Sequence, residues 1–255
     1  NLLDLGGVPL EAARRTSDHP IVLVGGHAAY NPEPLAPVID AAVMGDGEEV
    51  VGQVDDVLRT WKAAGGAARQ DLLVALASVE GVYVPSLYEA RYTDDGRLEA
   101  TTSTHPAAPP YVPKRTVADL EAWPLPRKQI VPMTEVVHER FSVEIFRGCT
   151  RGCRFCQAGM ISRPVRERRP ETIQRLVEEG VRSTGFEEVG LLSLSSADHA
   201  SIGEVARDLA DTYEGTATSL SLPSTRVDAF NITLADELAR NGRRTGLTFA
   251  PEAGS

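Results

Sequence analysis

Cysteine is scarce in this chain of 255 residues, and none occurs outside one stretch of eight: Cys149, Cys153 and Cys156 are the full set. An odd number at such short spacing argues against a disulfide framework. Long apolar runs are missing as well. No segment approaches the roughly 20 residues needed to span a bilayer, and no apolar, positively flanked leader marks export. A soluble cytoplasmic protein with reduced thiols and no membrane partner is therefore expected. The chain also lacks a basic excess. A formal charge of -10 and a pI near 5.1 argue against a broad electrostatic grip on phosphates, which normally shows as a basic surface or stripe. Arg163, Arg166, Arg168 and Arg169 form a local basic patch, which keeps RNA open as a substrate. The other reading of that patch is a solvated loop with salt bridges to Glu167 and Glu171.

What is present begins with the cysteines. Three residues separate Cys149 from Cys153, and two separate Cys153 from Cys156. Thiolates suit iron-sulfur clusters or zinc. Three ligands are one too few for a closed four-metal site, so a cube of four irons held this way leaves one iron open, as in any catalytic metal site. A zinc site completed by a distant His138 or His199 is the alternative. It fits less well, because structural zinc usually takes its ligands in two pairs. A bacterial ferredoxin run has two residues in each of its first two gaps and a fourth cysteine, and neither condition is met.

With 42% apolar residues the chain can bury one sizeable core or two modest ones, and its patterning predicts two. Residues 1–85 read as an alternating α/β unit. Pro20 to Val24 is a short apolar strand ended by Gly25-Gly26, Asn31-Pro32 looks like a helix start, and Ala41 to Met44 is a second strand. Gly45-Asp46-Gly47 then leads into a helix with Val50, Val51, Val54, Val57, Leu58 and Trp61 at helical spacing. This succession predicts a parallel sheet with a ligand crevice at the carboxyl ends of its strands, where Gly25, Gly26, Gly45 and Gly47 stand. Residues 86–140 read as a connector, with a hairpin from Leu87 to Thr102 turning at Asp94-Asp95-Gly96, and a proline-rich stretch from Pro106 to Pro132.

Residues 141–255 repeat strand and helix. Strands are expected at Ser142 to Phe146, Val189 to Leu194, Ser219 to Leu222 and Gly246 to Ala250, with helices opening at Pro170 and running through Ile202 to Tyr213 and Leu234 to Leu238. Four consecutive βα units point to a partial parallel barrel, truncated here, with its chemistry at the carboxyl ends of the strands. The cysteine loop follows the first of these strands. Ser193, Ser195, Ser196 and Asp198 follow the second, Ser224 and Arg226 the third, and Glu252 the fourth. The sequence opens at Asn1 without an initiator methionine and stops just after a strand-like segment, so it reads as an excerpt of a longer protein.

The three-then-two cysteine spacing, with Phe155 directly before the last cysteine, resembles the radical S-adenosylmethionine (SAM) superfamily. The longer run Arg147 to Gly159, together with Ser221 to Asp228 and Thr248 to Gly254, is similar to a bacterial family of radical proteins with an N-terminal cobalamin-type domain. The resemblance implies a partial Rossmann-like cobalamin-type domain followed by a partial TIM-like radical SAM barrel. It also implies a [4Fe-4S] cluster on Cys149, Cys153 and Cys156, SAM cleavage to a 5′-deoxyadenosyl radical, and an external low-potential electron donor. Phe155 would lie near the adenine, Ser195 and Asp198 would meet the methionine amino group, and Ser224, Arg226 and Glu252 would contact the rest of the cofactor. Gly25, Gly26, Gly45 and Gly47 would approach a cobalamin. The sequence departs from the family in two places. The usual glycine-glycine-glutamate after the second strand is replaced by Ser195-Ser196-Ala197, and no aspartate-x-histidine-x-x-glycine signature surrounds His27. Cobalamin-linked methyl transfer is the first reaction implied. Methylthiolation or another radical modification of RNA or protein without cobalamin is the alternative, and a non-catalytic zinc-stabilised adaptor is the reading from another class.

Overall fold

The computed structural model describes residues 1–66, 68–126, 128–242 and 246–252. The chain divides into two compact units, Asn1–Val117 and Ala118–Ser255. The hairpin therefore belongs with the first unit, and the segment from 118 to 140 with the second.

In the first unit, helix α1 (Leu2–Leu5) precedes strands β1 (Leu23–Val24) and β2 (Ala41–Val43), helices α2 (Val50–Ala63) and α3 (Arg69–Ala77), and strands β3 (Val82–Tyr83), β4 (Tyr88–Tyr92) and β5 (Leu98–Ser103). β1 and β2 pair in parallel as expected, but β3 joins β2 antiparallel, so the sheet is mixed rather than all-parallel. β4 and β5 form the expected antiparallel hairpin. The helix expected from Asn31 is replaced by two 3-10 turns, His27–Tyr30 and Glu33–Leu35. Pro32, Pro34 and Pro37 explain the difference, because each lacks the backbone N–H that an α-helix needs and its ring crowds the preceding turn. The apolar stripe of α2 delivers Val50 and Val54 to a core shared with Leu72, Leu76, Val82 and Val84.

A compact charge cluster fastens the loop ahead of β1 to the sheet. Arg15 Nη1 donates to Asp40 Oδ2 at 2.7 Å, and Arg69 Nη2 lies 3.0 Å from the same oxygen; the Arg15 and Asp40 side chains are fully buried. Apart from Arg69 Nε, which is buried with no hydrogen-bond partner, their remaining donors go to backbone carbonyls of Pro9, Leu10 and Val38 from Arg15, and of Thr16, His19 and Pro20 from Arg69. Satisfaction on this scale is what makes a buried charge tolerable.

The second unit runs β6 (Phe141–Glu144), β7 (Phe146–Arg147), α4 (Gln157–Ile161), β8 (Arg166–Glu167), α5 (Pro170–Thr184), β9 (Glu188–Leu192), α6 (Ile202–Thr212), β10 (Ser219–Ser221), β11 (Thr225–Arg226), α7 (Ile232–Leu238) and β12 (Phe249–Ala250). β6, β9 and β10 form a parallel sheet with β9 in the centre. The expected fourth strand does not extend that sheet. β12 pairs in parallel with β11, Thr225 opposite Phe249 and Arg226 opposite Ala250, and a closed barrel is not seen among the described residues.

Pro170 at the first helical position starts α5, and Gly185 in the left-handed region ends it with its N–H on the Val181 carbonyl. Its inner face buries Ile173, Leu176 and Val177 against Phe141, Val143, Val189 and Leu191 of the sheet. Each such side chain contributes about 1.5–3 kcal/mol on burial. Gly180 is the close-contact position: a Cβ there would fall inside the van der Waals envelope of the Phe141 ring. This packing fixes β6, the strand that delivers the cysteine loop.

Candidate functional site

The loop leaves β7 at Gly148, whose φ of 98° excludes most side chains and whose missing Cβ would lie 2.5 Å from the Pro164 carbonyl oxygen and 2.9 Å from that of Ser162. Cys149 follows directly. Arg163 Nε donates to the Cys149 carbonyl at 3.2 Å, and Arg166, buried, donates to Pro164 and Ser162 carbonyls at 3.1 and 3.0 Å. Cys156 caps α4, its Sγ accepting from the Gly159 N–H at 3.3 Å. All three cysteines are free and partly exposed.

This arrangement corrects the basic-patch reading. Arg166 and Arg168 are buried; Arg168 donates to the carbonyls of Glu144, Leu120 and Trp123. They brace their loops by donating to these carbonyls, and Arg169 alone of the run keeps its side chain in solvent, 74% exposed.

The strand ends bring some of the expected residues to the cysteines. Arg226, closing β11, donates from Nη1 to Cys153 Sγ at 3.5 Å, and its Nε and Nη2 each lie 3.0 Å from the Asp228 carboxylate. Glu252 accepts from Cys153 Sγ at 3.7 Å and lies 3.8 Å from Arg226 Nη1. The hydrogen bond from Arg226 holds the Asp228 carboxyl below its ordinary value, and Asp228 in turn raises the Arg226 guanidinium. Glu252 has a left-handed backbone, φ 64°, which a non-glycine residue adopts at a cost of about 1–3 kcal/mol. Ala253 and Gly254 of the same motif lie outside the described residues.

Asp198 is placed differently from its expected partner. Arg151, within the cysteine loop, donates to both of its carboxylate oxygens, at 3.0 Å from Nε to Oδ2 and through Nη2 to Oδ1, and also reaches Asp228 at 3.5 Å. Burial pushes the Asp198 carboxyl up, but the bonds from Arg151 and the nearby guanidinium charges of Arg151 and Arg226 outweigh it and hold it below the ordinary carboxylate range. Ser195 is buried, and its Oγ makes no hydrogen bond of normal geometry. Ser193 and Ser196 bond each other, Ser196 Oγ donates to the Leu191 carbonyl, and the Ser196 N–H donates to the Ser224 carbonyl, which ties the end of β9 to the end of β10. Phe155 stands 74% exposed beside the thiols, free to lie against a planar ligand. A cavity of about 350 Å³ opens next to Cys149 between Phe146, Arg151, Val165, Glu167 and Asp198.

The donor set fits a cluster better than a single ion. Three free thiols within one loop suit an iron-sulfur cube, whose cysteine ligands each take a different iron. His199 is not spare. It is buried, with Nε2 on the Arg168 carbonyl at 2.9 Å and Nδ1 accepting from the Ser201 N–H at 3.1 Å. The zinc reading thereby loses one of its two candidate fourth ligands, and His138 is exposed.

In the first unit Gly25, Gly26 and Gly47 face ordinary or open space at the ends of β1 and β2, while Gly45 has a partner of its own. Its φ is 109°, and its missing Cβ would meet the Arg115 backbone, with the amide nitrogen at 2.7 Å. Arg151 and Asp228, which the sequence does not single out, lie within the runs Arg147 to Gly159 and Ser221 to Asp228, and Arg163, expected only as part of a basic patch, holds the cysteine loop.

Two family models match the chain: radical SAM proteins, N-terminal, over residues 1–85, and the radical SAM superfamily over residues 143–255. An uncharacterized protein of Methanocaldococcus jannaschii is 40% identical over 115 residues, covering 45% of this chain and 24% of that protein. The solved structure of a radical SAM methyltransferase, TsrM, from Kitasatospora setae, with cobalamin and a [4Fe-4S] cluster bound, aligns with a TM-score of 0.51 at 16% identity. That alignment covers 87% of this chain and 41% of the other. The chain thus spans less than half the length of either relative, and no helix among the described residues is long and apolar enough to cross a membrane. The two family models and the three-cysteine loop together establish that the chain belongs to the radical SAM superfamily, carrying its N-terminal domain and its radical SAM domain.

Proposed function

We propose that Cys149, Cys153 and Cys156 hold a [4Fe-4S] cluster whose open iron binds SAM. The observation that carries this reading is the convergence of Arg226 and Glu252, from paired strands, on Cys153. A cluster held there would supply one electron, taken from an external low-potential donor, for reductive cleavage of the SAM carbon-sulfur bond into methionine and a 5′-deoxyadenosyl radical. The chain's own work is positioning. Asp228 occupies the Nε and Nη2 edge of Arg226 and leaves Nη1 turned to the thiols, where it can pair with the SAM carboxylate. Glu252 stands where it can accept from an amino or hydroxyl group, Ser224 lies beside the same strand end, and exposed Phe155 offers a face to adenine.

Cobalamin-linked methyl transfer is the narrower form of the proposal. Open space at Gly25, Gly26 and Gly47 supports it, while Gly45 serves an internal contact. The RNA-directed alternative loses support, because two of its four basic residues are buried. Anaerobic reconstitution tests the main reading: iron and sulfide should bind, and the electron paramagnetic resonance spectrum should change when SAM is added. A spectrum indifferent to SAM, or a preparation holding one zinc and no iron, refutes it. Visible absorbance of cobalamin in the protein tests the narrower form, and its absence removes methyl transfer.

A further inference from the structure

Asp198 stands at the end of β9, where a radical SAM site would place a partner for the SAM amino group, yet both of its oxygens are taken by Arg151. Arg151 sits two residues after Cys149 and two before Cys153, so its side chain speaks for the position of both. The same guanidinium reaches Asp228 at 3.5 Å, and Asp228 engages Arg226, whose Nη1 contacts Cys153. A continuous chain of ionic hydrogen bonds therefore runs from the end of β9 through the middle of the cysteine loop to the end of β11 and back to a thiol. Arg163 holds the same loop from the opposite side through the Cys149 carbonyl.

Building on the cluster reading, we propose that Arg151 is a positioning residue: with Asp198 and Asp228 it clamps the cysteine loop to two strand ends, and Asp198 serves this clamp rather than the SAM amino group. The chemistry favours it. A guanidinium and a carboxylate joined through two N–H···O bonds fix direction as well as distance. A loop with glycines at 148 and 152 would otherwise sample many arrangements of its thiols. Holding those thiols before the cluster arrives raises its affinity, as outer-shell partners do at metal sites.

The test uses the described protein as Arg151→Gln, Arg151→Lys, Asp198→Asn and the Arg151→Gln/Asp198→Asn double variant. In the apo protein, amide hydrogen exchange across residues 149–156 should accelerate in Arg151→Gln while that of α5 stays unchanged. Equal acceleration in α5 would mean global loss of structure and overturn the clamp. After anaerobic reconstitution, iron should leave to a chelator about 10-fold faster in each single variant. The double variant should be no worse than either single one, the signature of one shared interaction. Lysine should recover only part of the retention, since it lacks the planar fork. Equilibrium binding of SAM to reconstituted Asp198→Asn should stay at the wild-type level. Weakened SAM binding with wild-type iron retention would instead assign Asp198 to the cofactor and overturn the proposal. Wild-type protein that takes up no iron and sulfide sinks the parent reading, while wild type and variants that retain iron equally sink the clamp alone.

Discussion

Replacing Gly148 by alanine probes the site through one methyl group. The residue holds φ at 98°, a region that costs a non-glycine residue about 1–3 kcal/mol. The new methyl would also stand 2.5 Å from the Pro164 carbonyl oxygen and 2.9 Å from both the Pro164 carbonyl carbon and the Ser162 oxygen. These are backbone atoms, held by Arg166 from below, and cannot swing aside as a side-chain tip would. Overpacking of this kind costs about 1–3 kcal/mol more, so Gly148→Ala should lose about 2–6 kcal/mol locally and displace Cys149. Gly152→Ala is the control. It shares the positive φ, 72°, but its methyl would meet only the Arg163 Nη2 tip at 3.4 Å and a backbone oxygen at 4.0 Å, so the conformational cost of about 1–3 kcal/mol stands alone. Urea unfolding of apo protein and iron content after reconstitution read the two effects. Gly148→Ala should retain markedly less iron than Gly152→Ala; equal retention would show that the approach to Pro164 does not shape the loop.

Three further outcomes follow from the packing and charge. Gly180→Ala gains about 1 kcal/mol in helix propensity but drives a methyl into the Phe141 ring, so urea denaturation should show net destabilisation, and Phe141→Leu in the same chain should relieve it; a more stable single variant would contradict the contact. Asp40→Asn leaves Arg15 without its buried counter-charge and should cost about 3–5 kcal/mol in chemical denaturation, whereas a neutral result would mean that the carbonyl ligands suffice. Because the folded Asp198 carboxyl titrates below its unfolded value, its contribution to apo stability is present above about pH 4 and is lost as pH falls through the lower folded value. The stability gap between wild type and Asp198→Asn should therefore narrow below about pH 4, and a gap that widens there would reverse the assigned direction.

Periodicity and spacing carried the second unit well: β6, α5, β9, α6, β10 and α7 appear where apolar patterns and Pro170 place them. Cysteine spacing was equally legible, because ligand chemistry is local in sequence. The missed features depend on partners far apart in the chain. Arg151 and Asp198 are 47 residues apart, and nothing in either neighbourhood announces the other. Helix α3 and strand β3 escaped because Leu72, Leu73, Leu76 and Ala77 are all buried, leaving no polar face to show a period. The basic run misled for the opposite reason. Composition records charge, whereas Arg166 and Arg168 are used as donors to carbonyls that no sequence pattern displays.

The contact at Gly45 bears on how the first unit can be cut free for experiment. Arg115 donates its N–H to the Met44 carbonyl at 2.8 Å and accepts from the Asp46 N–H at 3.1 Å, Val117 donates to the Asp46 carboxylate at 2.8 Å, and Val117 itself is buried. A fragment ended at residue 85, where the N-terminal family match stops, would strip these bonds away and leave the backbone around Met44 and Asp46 open to pairing between copies, an aggregation hazard. Expression boundaries drawn after Val117 keep that seam closed.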